Sequence, residues 1–74
     1  MSLYPTPTRL QLLEDVEHGE VYRDDAGDDW TFVGPKVTVR VAELHEAGWI
    51  ERPVGKVAWR LTAAGRAVLD GGAS

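Results

Sequence analysis

The 74-residue chain has no cysteine, one methionine, one phenylalanine and two histidines. Without cysteine there is no disulfide to staple a small fold and no thiolate zinc site. His18 and His45 are isolated in the sequence and too few for a metal cluster. No apolar run nears the length that crosses a bilayer, and no basic stretch precedes a long apolar one. No glycine-rich phosphate loop or metal motif is present, and neither histidine has a triad-like spacing to a serine or aspartate. These absences lead us to expect a soluble, cytoplasmic domain with no cofactor and no enzymatic activity. A chain this short buries a thin core, so it must rely on good packing, on a partner or on self-association.

Positive charge is also scarce, and unevenly placed. The formal net charge is −4, which argues against strong non-specific binding to a polyanion. Residues 1–34 carry two arginines against eight carboxylates, whereas residues 35–74 carry six cations against four carboxylates. That asymmetry is more informative than the total.

What is there reads as one domain over residues 1–74, with residues 1–5 and 71–74 as loose tails. Thr6 or Thr8 caps a first helix, and Pro7 suits a first turn whose N–H would have no partner anyway. Leu10, Leu12, Leu13 and Val16 give that helix an apolar face, and His18-Gly19 stops it. Residues 20–23 and 30–33 read as short strands rich in β-formers. Between them lies Asp24-Asp25-Ala26-Gly27-Asp28-Asp29, a turn-forming run. A hairpin or an extended loop is therefore expected there rather than a second helix.

The stretch from residue 36 onward is the most patterned. Val37, Val41, Leu44 and Gly48 recur on one helical face over residues 36–47, and Lys36, Val39, Arg40 and Glu43 fall opposite. Gly48 ends the helix. Ile50, Arg52 and Val54 then alternate with Glu51 and Pro53. Gly55-Lys56 suits a two-residue type II′ turn, which would pair Val54 with Val57, Arg52 with Trp59 and Ile50 with Leu61. In that register Arg52 lies across the Trp59 ring. Thr62 caps a last helix whose Ala64, Val68 and Leu69 pack back. Trp30, Trp49 and Trp59 are read mostly as core, and His18 and His45 as surface.

Leu44-His45-Glu46-Ala47-Gly48-Trp49-Ile50 resembles the leucine-x-x-x-glycine-apolar-apolar junction of winged helix-turn-helix proteins. Trp59-Arg60-Leu61-Thr62-Ala63-Ala64-Gly65-Arg66 resembles the apolar-x-leucine-threonine-x-x-glycine-basic segment after the wing in MarR-like and PadR-like regulators. Together these cover about residues 35–70. The whole chain also resembles small winged-helix proteins of high-GC actinobacteria and their mobile elements. It departs from MarR-like proteins in lacking long dimerisation helices and a clear second helix. The expected fold is α+β: a small winged-helix domain of three helices with a β-hairpin wing, and an extra hairpin or strand in place of the second helix.

The resemblance implies sequence-specific binding of double-stranded DNA in transcriptional or mobile-element regulation. The helix over 36–47 would enter the major groove. Lys36 and Thr38 would hold phosphates, Arg40 would fork onto guanine, and Val39 would touch a thymine methyl. Lys56 at the wing tip would reach a phosphate or the minor groove, supported by Arg52 or Arg60. So few cations give weak affinity for one copy, so a homodimer or higher self-association fits. The alternative is a winged-helix protein-interaction module. It would dock a basic partner, such as a component of the transcription machinery, through Asp24, Asp25, Asp28 and Asp29. A solvated turn is the plainer account of those aspartates, and a solvated helix face the plainer account of Lys36–Arg40.

Overall fold

Two helices of this protein end in the same way, and those endings set the path of the chain. In the computed structural model, which describes residues 4–32 and 34–72, α1 spans Pro7–Glu17 and is capped by Thr6, whose Oγ1 accepts from the Arg9 N–H. It stops at His18 and Gly19, with Gly19 at φ 73°. α2 spans Thr38–Glu46 and stops at Ala47 and Gly48, with Gly48 at φ 80°. In both, a backbone N–H past the glycine reaches back five residues: Glu20 to the Asp15 carbonyl at 2.9 Å and Trp49 to the Leu44 carbonyl at 3.0 Å. These left-handed glycine closures satisfy the last helical carbonyls and turn the chain sharply.

After α1 come β1 (Val21–Arg23) and β2 (Asp29–Thr31), an antiparallel hairpin pairing Val21 with Thr31, Tyr22 with Trp30 and Arg23 with Asp29. A hairpin rather than a helix thus lies between α1 and α2, as the turn chemistry of residues 24–29 led us to expect. Val33, expected to close the second strand, lies outside the described residues. α2 is followed by β3 (Ile50–Glu51) and β4 (Arg60–Leu61), which pair Ile50 with Leu61 and Glu51 with Arg60. α3 (Ala63–Gly72) closes the fold, with the Thr62 hydroxyl accepting from the Gly65 N–H. The architecture is α+β, three helices and two small antiparallel sheets.

The core runs between the helices and both sheets. Leu12, Leu13 and Val16 of α1 meet Val21, Val41, Leu44, Trp49, Ile50, Trp59 and Leu69, with Leu10, Leu61 and Val68 half-buried at its margin. Gly65 belongs to this seam for a steric reason. A Cβ there would overlap the carbonyl of Trp49, so α3 packs directly on the backbone that leaves α2.

Several expectations are corrected. Residues 71 and 72 belong to α3 rather than to a loose tail. The Tyr4 carbonyl accepts from the Thr6 N–H and from Arg9 Nη1. The rest of both expected tails, residues 1–3 and 73–74, lies outside the described residues. Ala64 is exposed rather than packed back, and Trp30 is only half-buried. The ladder between residues 50 and 61 is shorter than expected. It stops after the Glu51–Arg60 pair, where Pro53 has no N–H to donate. Residues 57–59 pair with β1 instead: Arg23 N–H donates to the Val57 carbonyl and Trp59 N–H to the Val21 carbonyl, both at 2.9 Å. The turn moves as well. Lys56 N–H donates to the Pro53 carbonyl, and Gly55, at φ 80°, is the third residue of the turn. That is type II geometry centred on Val54 and Gly55, not a type II′ turn on Gly55 and Lys56. Arg52 does not cover Trp59; Arg23 does, with its guanidinium carbon 5.2 Å from the ring centroid.

Candidate nucleic-acid interface

α2 has no acidic residue in its first turn and no side-chain cap at Val37. Its N-terminus is closed from outside, by the β1–β2 hairpin. Val37 N–H donates to the Asp29 carbonyl at 2.7 Å, and Asp29 N–H donates to Thr38 Oγ1 at 3.0 Å. Thr38 Oγ1 in turn lies 3.4 Å from Asp28 Oδ1, and Lys36 Nζ 3.9 Å from the same oxygen. An acidic group here suits the positive end of the helix dipole. The hairpin therefore fixes where α2 starts and which way its first residues face.

Three residues at this start face solvent. Lys36 and Arg40 are exposed, and Val39 is 73% exposed. Glu43, one turn beyond Arg40, is neutralised by Arg9, whose Nη2 and Nε lie 2.9 and 3.3 Å from its Oε2. This bond also ties α1 to α2. Arg40 borders three shallow, open depressions, the largest about 500 Å³, where the start of α1 approaches residues 34–37.

The 53–56 turn presents the second group of expected contacts. Lys56 is exposed and its ammonium has no partner among the described residues, and Val54 beside it is fully exposed. Arg52 Nη1 donates to the Lys56 carbonyl at 2.9 Å, so Arg52 braces the turn. Arg60 Nε is 2.8 Å from Glu51 Oε2. Of the seven residues expected to contact DNA, Lys36, Val39 and Arg40 gather at the start of α2 and Lys56 stands at the turn. Thr38, Arg52 and Arg60 hold internal partners, and Lys36 lies within reach of Asp28.

The four aspartates of the alternative reading separate sharply. Asp25 is exposed and Asp28 half-buried against Lys36 and Thr38. Asp24 is an internal acceptor, taking the N–H groups of Ala26 and Asp28 and the Trp30 indole N–H. The Asp28 backbone N–H, then the Trp30 indole, hold its carboxyl below the usual carboxylate range. Asp29 is 0% exposed and is no surface group at all. Its two oxygens take Arg23 Nε and Nη2 at 3.2 Å each, and Oδ1 also takes the Trp59 indole N–H at 2.8 Å. The same hydrogen bonds to Asp29 raise the Arg23 guanidinium pKa against the opposing effect of burial. His45, exposed as expected, meets the Trp59 ring edge-on at 5.2 Å.

This Asp29–Arg23–Trp59–Thr38 cluster was missed by reading the sequence, which treated Asp29 as one more turn aspartate. Strand parity carries the signal. Asp29 and Thr31 alternate with Trp30 and Phe32, and Val21 pairs with Thr31 on the core side. The cluster is closed and fully paired, so it organises structure. Among the described residues no group of three or more His, Asp or Glu is placed to hold a metal ion, and no helix is long and apolar enough to cross a membrane. In comparisons with known proteins, the chain matches no family model, no curated protein and no solved structure.

Proposed function

We propose that this protein is a small, cytoplasmic, sequence-specific DNA-binding protein of the winged-helix type, a transcriptional or mobile-element regulator. In this reading α2 is the recognition helix and the 53–56 turn is the wing. One observation carries it. Among the described residues, Arg9, Arg23, Lys36, Arg60 and Arg66 lie within salt-bridge range of a carboxylate and Arg52 is held by a backbone carbonyl, whereas the side-chain cations of Arg40 and Lys56 have no partner. Those two stand at the start of α2 and on the turn, the elements that meet the major groove and the flanking backbone in winged-helix docking.

In this arrangement Arg40 reads a guanine edge, Val39 contacts a thymine methyl, and Lys36 and Lys56 hold phosphates. So few phosphate contacts give a shallow salt dependence and modest affinity for one copy. Two copies on a repeated site would supply the rest. The test is binding to duplex libraries at several salt concentrations. Arg40→Ala is expected to cost about 1–3 kcal/mol and relax preference at one base pair, and Lys56→Ala to weaken all sequences alike and lower the salt slope by about one. Unchanged affinity in both variants overturns the reading.

The second reading is a protein-interaction module that docks a basic partner, such as a component of the transcription machinery. The net charge of −4 and the acidic first half favour it. Asp29 drops out of its contact surface because it is buried, and Asp24 brings its charge to that surface while its oxygens take N–H groups within the hairpin.

A further inference from the structure

The β1–β2 hairpin has two faces, and the outer one is unusual for a small acidic protein. Its cross-strand register places Tyr22 beside Trp30. The Phe32 N–H bonds to the Glu20 carbonyl at 3.2 Å and the Asp24 N–H to the Asp28 carbonyl at 2.9 Å, which extends the register to Glu20–Phe32 and Asp24–Asp28. Two side-chain contacts fix the parity. The Tyr22 and Phe32 rings lie 5.7 Å apart, and the Trp30 indole N–H donates to Asp24 Oδ2 at 2.8 Å. The isolated bridges Tyr22–Ala58 and Trp30–Lys36 widen the same row to Ala58, Tyr22, Trp30 and Lys36. The outer face is therefore a strip: Glu20 at one end, Asp24 and Asp28 at the other with Lys36 beside Asp28, and three aromatic rings between them. Phe32 is 66% exposed, and Tyr22 and Trp30 are half-exposed.

Nothing in the fold explains this strip. The core lies on the opposite face, with Val21, Asp29 and Trp59. A cluster of exposed rings has a hydration cost that a contact removes. Carboxylates around aromatic faces repel phosphate and attract guanidinium or ammonium groups, which also gain from ring quadrupoles. Glu20 and Asp24 are four strand positions apart, about 13 Å.

We propose that this outer face is a docking surface for a cationic segment of a protein partner, with an apolar side chain seated on Tyr22 and Phe32 between two basic residues that meet Glu20 and the Asp24–Asp28 end. It deepens the protein-interaction reading and meets the DNA reading only at Lys36, which pairs with Asp28; it uses neither Arg40 nor the 53–56 turn.

The test titrates the whole protein, followed by residue-resolved NMR, with a synthetic extended peptide. The peptide has arginines at both ends of a five-residue stretch and leucine at its centre. Saturable shifts are expected at the Trp30 indole N–H and at the amides of Tyr22 and Phe32. Affinity is expected to fall about tenfold in Phe32→Ser and several-fold in Glu20→Gln; both residues lie at the surface, so the fold is retained. A peptide with citrulline in place of arginine should not saturate. Equal binding of the citrulline peptide, or unchanged affinity in both variants, overturns the proposal. So does sedimentation showing a dimer that Phe32→Ser dissolves, because a second copy would then be the occupant. A generic duplex titrated into the same sample reports on Arg40 and Lys56 separately, so either reading can fail alone.

Discussion

The two hairpins of this molecule are held together by opposite means. β1–β2 is acidic and is tied down by its own polar groups: Asp24 closes its loop, Asp29 grips Arg23 and Trp59, and Thr38 locks it to α2. The segment from residue 50 to 61 is basic and keeps only two cross-strand pairs before its chains part. Its tip leaves Val54 and Lys56 facing solvent and is braced by one arginine-to-carbonyl hydrogen bond. The first hairpin thus fixes the start of α2, whereas the turn of the second is open to solvent. Charge does not by itself say which region is functional. The acidic run is largely internal, while the modest basic excess is where unpaired cations are found.

The contrast is broken most severely at Asp29. Asp29→Ala leaves the Trp59 indole N–H without its acceptor and Arg23 without its counter-charge, and is expected to cost about 3 kcal/mol. A domain of this size has little to spare, so urea denaturation should show a much lower midpoint or no cooperative transition. A stability change within about 0.5 kcal/mol would mean that the buried cluster is incidental.

Acid should loosen the same hairpin more gently. Asp24 has a carboxyl held below its ordinary range, so it contributes stability that is fully present above the ordinary carboxylate pKa. That contribution is lost as pH falls through the depressed value, below about pH 4. The Trp30 indole N–H resonance should move in step with that titration. In Asp24→Asn the step should vanish, and its persistence would assign it to another carboxylate.

The other side of the comparison predicts almost nothing, which is its sharpest form. Val54→Ser at the exposed turn should change stability by less than about 0.5 kcal/mol in the same urea experiment. A larger loss would show that the turn is packed on something and is not free.

Much of this fold could be read directly, because local chemistry dictates it. The Thr6 cap, the glycine stops at 19 and 48, the hairpin over residues 24–29 and the Val37–Val41–Leu44 face each depend on neighbours in sequence. The failures depend on distant partners. Asp29 is one of four similar aspartates until Trp59, thirty residues on, is brought beside it. The sequence pointed to Arg52 for the Trp59 ring, but Arg23 takes it because residues 57–59 pair with β1 rather than continuing the second ladder. Pro53 was the legible hint, since a missing N–H ends a ladder. Within the candidate interface, Lys36, Val39, Arg40 and Lys56 were legible as surface. That Thr38 is spent on the hairpin was not.

Gly65 sets a limit on how this chain can vary. Since α3 rests on the Trp49 carbonyl with no room for a Cβ, position 65 works as a spacer of zero length. Any side chain there would push α3 away from the exit of α2 and open the seam beside Leu69. Descendants of this sequence can exchange surface charges and reshape the 53–56 turn at little cost. At this one position they are confined to a single residue type, or must rebuild the whole packing of the last helix around the change.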